Sequence, residues 1–224
     1  MLANTKKYVV AGVGVMIVVA LAISFTSYLG QFEQTTTLSS PSSDEMVTVQ
    51  SPVLGSESAS VTIVEVGDYQ CEMCKHWFDN TRQQVIDNYI DSGKVNMIFI
   101  DMPFLGTDSH VASMASYCAA DQEKYWEYHV MLYEHQEGVD SGWASNERLK
   151  SFAFTLDLDM NEFSQCLDSK KYYYQVKLNL DKSMNSFGIQ STPTFLLINT
   201  SGEQQQIRGA QSYSVFERVI ESLL

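Results

Sequence analysis

The sequence predicts an α/β fold interrupted by an all-helical insertion, and three observations carry that reading. Val61-Thr-Ile-Val-Glu-Val66 is apolar and β-branched apart from Glu65, the pattern of a buried strand, and after a helical stretch Lys94-Val-Asn-Met-Ile-Phe-Ile-Asp-Met102 repeats it. From Ser109 to about Phe187 apolar residues recur at three and four positions almost throughout, the spacing of helices packed on one side. A strand pattern then resumes at Thr194-Phe-Leu-Leu-Ile-Asn199. A helical block between two halves of an α/β pattern is an insertion into it.

Taken in order, Tyr8 to Leu29 carries no charged residue and is long enough to cross a hydrocarbon core of roughly 30 Å as a helix. Lys6 and Lys7 precede it, and no Lys or Arg follows until Lys75. This bias leaves residues 1–7 in the cytoplasm and places everything after Leu29 outside, a single-pass cell-membrane protein. The alternative is a cleaved signal peptide. The run is longer than the apolar core of about 7–15 residues such peptides carry, and its end lacks a good Ala-x-Ala site. Residues 30–44, rich in Ser, Thr and Gln, read as a flexible tether, so the folded domain is expected over 45–224. Met46-Val-Thr-Val49 reads as a short first strand and Ser51-Pro-Val-Leu-Gly-Ser56 as a turn-rich lead into the central strand.

Lys75 to Ile90 has helical spacing, so the strands on either side of it are expected to pair in parallel. The insertion, about 109–187, divides into helices near 109–120, 122–136, 145–155, 159–168 and 170–186. After the Thr194–Asn199 strand, Thr200-Ser-Gly202 is a hairpin turn and Glu203–Gly209 a more polar edge strand. Ser212–Leu224 closes the chain as an amphipathic helix with Val215, Phe216, Val219, Ile220 and Leu223 on one face.

The formal charge is −13, from 14 Lys and Arg against 27 Asp and Glu, which makes nucleic acid and anionic surfaces poor partners. The apolar fraction of 45% supports a packed core. Four cysteines suit two disulfides if the domain lies outside the cytosol.

Cys71 and Cys74 sit where the central strand turns into the first helix. Unpaired N–H groups and the helix dipole at that end favour a thiolate on the first cysteine, and the second lies one turn along, in reach of a small disulfide ring. The pair therefore reads as a redox-active dithiol. A zinc site is the structural alternative, but zinc takes four ligands and no second Cys pair exists. A soft-metal site using Cys71, Cys74 and His76 or Met73 is a further alternative.

Four stretches, taken together, resemble the membrane-tethered branch of the DsbA-like thiol:disulfide oxidoreductases, a thioredoxin fold with a helical insert. They are Val61-Thr-Ile-Val-Glu-Val-Gly-Asp-Tyr-Gln-Cys71, Tyr117-Cys-Ala-Ala-Asp-Gln-Glu-Lys-Tyr-Trp-Glu-Tyr-His129, Phe163-Ser-Gln-Cys-Leu-Asp-Ser169 and Phe187-Gly-Ile-Gln-Ser-Thr-Pro-Thr-Phe195. The resemblance implies that Cys71 is the nucleophile and Cys74 the resolving cysteine. It places Glu65 as a buried acid relaying protons to Cys74, with an edge or solvent-facing Glu as the alternative. It implies a cis Thr192–Pro193 bond facing the cysteines, Thr192 offering its backbone to an extended substrate. Cys118 and Cys166 read as a structural disulfide of the insert, two free thiols being the alternative. No cofactor beyond the Cys71–Cys74 disulfide and no metal is implied. The implied partners are exported proteins with thiols or disulfides and a membrane redox protein for recycling, with the chain's own anchor in the bilayer.

The sequence leaves the family pattern at Glu72-Met73. A carboxylate beside the nucleophile disfavours its thiolate, so Cys71 is expected to be less acidic than the roughly 3.5 of DsbA, with Lys75 and His76 offsetting part of the effect. Met73 with Trp77 and Phe78 is expected to form an apolar surface for peptide substrates. Trp126, Tyr125 and Tyr128 are expected to pack the insert. Tyr172-Tyr-Tyr174 reads as one buried and two partly exposed residues, and Asn199-Thr-Ser201 as a glycosylation sequon on an exposed turn.

Overall fold

The computed structural model describes residues 52–224. The expected anchor over 8–29, the tether over 30–44 and the strand at 46–49 lie outside the described residues. Among the described residues, no helix is long and apolar enough to cross a membrane.

A five-stranded sheet forms the centre. Its strands are β1 (Val53–Leu54), β2 (Val61–Gly67), β3 (Val95–Asp101), β4 (Thr194–Asn199) and β5 (Gln204–Arg208), in the order β1-β3-β2-β4-β5. The short β1 falls within the segment expected to be only a turn and pairs antiparallel with β3. β2 and β3 run parallel, as the intervening helix requires, and β4 pairs antiparallel with β2 and β5. The polar β5 takes the edge, where a half-wet strand costs least.

Between β2 and β3 a continuous helix, α1, runs over residues 72–90, widening to π turns at Phe78–Arg82 and Ile86–Ile90. It starts at Glu72, earlier than the spacing alone places it, because Cys71 serves as its N-cap. The insertion supplies α2 (Thr107–Ala120), α3 (Tyr125–Glu134), α4 (Asn146–Thr155), α5 (Met160–Asp168) and α6 (Tyr173–Asp181), the last continuing through a π turn at Lys182–Ser186. α7 (Tyr213–Leu223) closes the chain.

Strand alternation divides the packing. Val61 and Ile63 of β2, Val95 and Met97 of β3, and Phe195 and Leu197 of β4 meet α1 and α7 through Trp77, Val85, Tyr89, Phe216 and Ile220. Val64, Val66, Ile98, Ile100, Leu196 and Ile198 face the other way, against Ile189, Leu180 and Phe187. Glu65 lies two residues after Ile63, so the same alternation points it to the α1 side. Trp77 is wholly buried, its ring 4.7 Å from Phe195 and 5.7 Å from Phe216. It is a core anchor and no part of a peptide-binding surface, which corrects the expectation for that residue.

The helical lobe packs around Tyr117, Tyr125, Tyr128, Leu132, Leu149 and Phe163, with Trp126 half-buried at its border. A disulfide joins Cys118 of α2 to Cys166 of α5, 48 positions apart. Tyr172 is half-buried, while Tyr173 and Tyr174 are exposed, so the tyrosine run has no fully buried member. Asn199 organises its turn: its side-chain oxygen accepts from the Ser201 and Glu203 amides, and its nitrogen donates to the Leu223 carbonyl at 3.3 Å. The sequon's amide is thereby engaged in the fold.

Candidate active site

β2 delivers the chain to the cysteines through Asp68, Tyr69 and Gln70. Gly67 is needed at the end of the strand because a Cβ there would stand 2.6 Å from the Phe99 ring. The Asp68 carboxylate caps the turn: Oδ1 accepts from the Gln70 amide at 2.8 Å and from Ser109 Oγ, and Oδ2 accepts from the Leu105 amide at 3.1 Å. The Cys71 amide donates to the Asp68 carbonyl at 3.0 Å, and the Lys75 amide donates back to the Cys71 carbonyl, closing the first turn of α1.

Gln70, beside the first cysteine, is a clasp to the helical lobe. Its Oε1 accepts from the Asp140 amide at 2.6 Å and from Trp143 Nε1 at 3.4 Å, and its Nε2 donates to Ser109 Oγ at 2.9 Å and Asp140 Oδ1 at 3.2 Å. Sequence reasoning passed over Gln70 and Asp68. A buried amide's worth depends on which partners the fold brings to it, and those partners lie far along the chain.

Cys71 and Cys74 are free thiols with different surroundings. Cys71 is 8% exposed, and its Sγ donates to the Thr192 carbonyl at 3.4 Å. Hydrogen bonding from Cys74 Sγ, opposed by burial and helped by Thr192 and the Cys74 and Met73 amides, brings the Cys71 thiol down to about 6. Cys74 is fully buried, and burial followed by the interactions with Cys71 and Glu65 pushes its thiol well up. Hydrogen bonding and burial, not the neighbouring Glu72, are the causes that set the Cys71 level. The expected help from Lys75 is not delivered. Its ammonium turns away, donating to the Tyr133 carbonyl at 2.9 Å and pairing with Asp79 at 3.2 Å. His76 is exposed and approaches Asn80.

Buried polar side chains adjoin the pair. Glu65 is 1% exposed, and neither carboxyl oxygen has a hydrogen-bond partner among the described residues. Burial raises its pKa to about 8, against a lowering by Arg82 and a further raising by Cys71. The edge or solvent-facing alternative is thereby excluded. Arg82 of α1 is 6% exposed, its guanidinium 5.3 Å from the Phe78 ring and 5.7 Å from the Trp126 ring. His129, fully buried, meets Tyr69 Oη at 3.0 Å through Nδ1, and burial followed by Arg82 holds it well below its ordinary value. Arg82 had a legible signal. It stands eight residues after Cys74 on the face that also carries Phe78 and Val85, a lone cation at a core position.

The Thr192–Pro193 bond is cis, and Pro193 is buried immediately before β4. Thr192 is half-buried, with its carbonyl turned to Cys71. A small cleft of about 120 Å³ follows the same loop along β5, lined by Ile189, Gln190, Ser191, Thr194, Gln206 and Arg208. Met73 is 49% exposed, and Phe104 is 43% exposed in the loop whose Leu105 amide donates to Asp68. A larger cleft, about 450 Å³, borders Cys118 and Cys166 in the helical lobe and contains no residue of the dithiol site. Among the described residues, no group of three or more His, Cys, Asp or Glu side chains is arranged to hold a metal ion.

A nucleophile poised as thiolate beside a thiol that keeps its proton is built for thiol–disulfide exchange. The sheet below it, with a helical insertion between β3 and β4, defines the class: a thioredoxin-fold oxidoreductase. The chain belongs to the thioredoxin family, whose pattern it matches over residues 47–222. Within that family it is a DsbA-like thiol:disulfide oxidoreductase. It is 29% identical over 176 residues to disulfide bond formation protein D of Bacillus subtilis, covering 77% of each chain. The crystal structure of oxidised BdbD from Bacillus subtilis superposes with a TM-score of 0.70 at 27% identity, over 77% of this chain and 92% of that one. Wolbachia pipientis α-DsbA1 shares the fold, with a TM-score of 0.68 at 24% identity over 78% and 90%.

Proposed function

We propose that the protein is a membrane-tethered, extracytoplasmic thiol:disulfide oxidoreductase that donates the Cys71–Cys74 disulfide to exported proteins and is reoxidised by a membrane partner. The observation that carries this is the unequal placing of the two thiols: Cys71 reaches the Thr192 carbonyl at 3.4 Å beside the cis proline, while Cys74 and Glu65 are buried.

In the donating direction a substrate thiolate attacks Cys71 Sγ. The Cys71–Cys74 bond breaks and Cys74 leaves, taking a proton. The mixed disulfide holds the substrate sulfur on Cys71, beside the Thr192 carbonyl. A second substrate thiolate then attacks the substrate sulfur, and Cys71 leaves as a thiolate. The substrate dithiol is oxidised by two electrons and the enzyme pair is reduced. Glu65 supplies the proton to Cys74 and recovers it on reoxidation. Thr192 and Pro193 form the ledge for the substrate backbone, and Cys118–Cys166 braces the helical lobe. The disulfide is itself the redox group, without a further cofactor. The anchor over 8–29 and tether over 30–44 hold the domain outside the membrane, in reach of its recycling partner.

Direction follows from the reduction potential of the pair. A nucleophile near 6 lies between the roughly 3.5 of DsbA and the roughly 7 of thioredoxin, so the reduced form is stabilised less than in DsbA. The full-length protein, oxidised and offered reduced ribonuclease, is expected to return ribonuclease activity and lose it on Cys71→Ser. Insulin reduction with no ribonuclease oxidation would assign it as a reductase. Stoichiometric metal on the reduced protein with no exchange in either assay would replace both readings with a soft-metal module.

A further inference from the structure

Helix α6 presents outward a face that neither the fold nor the exchange chemistry uses. Its inward register is fixed. Val176, Asn179 and Ser183 are buried, and Leu180 and Phe187 pack on the sheet face that carries Val64, Val66, Ile98 and Ile100. Asn179 Nδ2 donates to Asp101 Oδ1 at 2.7 Å and to Tyr117 Oη at 2.9 Å, which locks the rotation of the helix. At about 100° per residue the opposite side must then carry Tyr173, Tyr174, Lys177, Leu178 and Asp181. Each of these is exposed, as is Met184 in the π turn that follows. Tyr173, Tyr174, Leu178 and Met184 are between 44% and 82% exposed, and the rings of Tyr173 and Tyr174 meet edge-on at 5.5 Å.

The charge on this stretch runs against the rest of the chain. Between Ser169 and Gly202 the basic residues are Lys170, Lys171, Lys177 and Lys182 and the acidic one is Asp181, in a chain whose formal charge is −13. Lys171 is neutralised by Asp121 at 2.8 Å, whereas Lys170, Lys177 and Lys182 enter no ion pair among the described residues. For the chain as a whole an anionic surface is a poor partner; over this one helix face the sign reverses. Exposed Tyr, Leu and Met interleaved with Lys compose a helix suited to a lipid–water interface, where ammonium groups stay among the headgroups while stems and rings enter the acyl boundary. A second copy of the chain is the poorer occupant, because a two-fold interface would set the same cations against each other.

We propose that the outward face of α6, formed by Tyr173, Tyr174, Lys177, Leu178 and Met184 with Lys170 and Lys182 beside it, docks the domain on an anionic phospholipid surface. The inference rests on the reading of the chain as membrane-tethered. A flexible tether over 30–44 spans on the order of 20 Å, so a contact too weak to hold a free protein on a bilayer is made repeatedly by a tethered one. The acidic remainder of the surface is repelled by the same lipid, which turns the basic face towards it. The helix that begins at the thiols, α1, packs through Trp77 and Val85 on the other face of the sheet, so docking through α6 leaves the dithiol free to meet exported chains.

The test uses oxidised full-length protein, with its native cysteines paired, reconstituted in bilayers of phosphatidylcholine alone or of phosphatidylcholine mixed with phosphatidylglycerol. A spin label is attached at Leu178→Cys or, as control, at Asn88→Cys, an exposed position of α1, and its contact with a water-soluble nickel relaxant is read. In the mixed bilayer the label at 178 is expected to lose nickel contact several-fold while the label at 88 keeps it. Lys177→Glu with Lys182→Glu is expected to return the label at 178 to the control level, since each lysine removed from an anionic surface weakens the docked state about fivefold. Lys177→Arg with Lys182→Arg is expected to keep the shielding, and high salt to reduce it. Nickel contact at 178 equal to that at 88 in the mixed bilayer overturns the proposal. So does shielding that is the same in phosphatidylcholine alone, and so does shielding that disappears as the protein is diluted in the bilayer, which identifies a second copy as the occupant. Extraction of the protein by alkaline carbonate would instead overturn the tether. The same labels are then read on full-length protein with an excess of preformed vesicles of the two compositions, where shielding at 178 confined to the mixed vesicles supports the docking face and its absence overturns it.

Discussion

Two residues define the chemistry by the proton each holds. Cys71 is drawn down to about 6 by hydrogen bonding with the Cys74 thiol, helped by Thr192 and the first-turn amides, so its alkylation by iodoacetamide in the reduced protein is expected to fall away below that pH. Cys74, buried and pushed well up, is expected to stay unmodified through neutral pH. Equal labelling of both cysteines at neutral pH would contradict the assignment of roles. Glu65 is the opposite case, since burial keeps its proton on to about pH 8 while the unfolded chain releases it near the ordinary 4.5. Between those values the folded state binds more protons than the unfolded state, so the stability this group contributes is intact below about 4.5 and is lost as pH rises through 8. Glu65→Gln removes that slope. In reduced protein, the stability of the variant relative to wild type is expected to improve by about 3 kcal/mol between pH 4 and pH 7, on the order of 1.4 kcal/mol per unit. Parallel denaturant curves at the two pH values, with no growth in the difference, would show Glu65 already ionised in the native state.

Elements hold these residues where the sequence alone cannot place them. The turn from β2 into α1 is fixed by its own Asp68 and also by the loop after α3, which reaches back through Asp140 and Trp143 to grip Gln70. Gln70→Ala leaves the buried Ser109 and Trp143 groups short of a partner. It is expected to cost about 2 kcal/mol in urea unfolding and to make the active-site turn exchange its amides faster. An unchanged urea midpoint would mean the clasp is not under load. The helical lobe is tied more permanently by Cys118–Cys166, 48 positions apart. Replacing both by Ala is expected to lower stability by about 4 kcal/mol in the chain-entropy picture, with exchange at Cys71 retained in the fraction that stays folded. Loss of exchange in fully folded double variant would give that disulfide a part in the reaction.

At the scale of the molecule, an insertion of five helices rides on a sheet whose order and directions are those of a thioredoxin fold. The sheet edge at β5 and the cis-proline loop bound one side of the thiols, and the helical lobe bounds the other. A chain tethered by its N-terminus would present the thiols to passing substrates. Protease added to intact cells is expected to degrade the domain while residues 1–7 stay protected. Removal of residues 1–44 is expected to release an active domain from the membrane fraction. Protection of the domain in intact cells would place it on the cytoplasmic side.

Much of this was readable from residues alone, because its causes are local. Strand and helix periods gave the α/β pattern and the helical insertion, since the period of apolar residues follows directly from backbone geometry. The Cys71–Cys74 spacing at a strand-to-helix turn located the dithiol, since an N-terminal helix turn and its free amides are properties of a few adjacent residues. Resemblance supplied Glu65, Thr192 and Pro193. What adjacency could not supply came from long-range packing: that Trp77 faces the core and not the substrate, that Lys75 is spent on Tyr133 and Asp79, and that Gln70 is held from 70 positions away. The same holds for Arg82, buried on α1 against the rings of Phe78 and Trp126. The strength of a charge depends on the dielectric around it, and that is set only when distant elements close over the site.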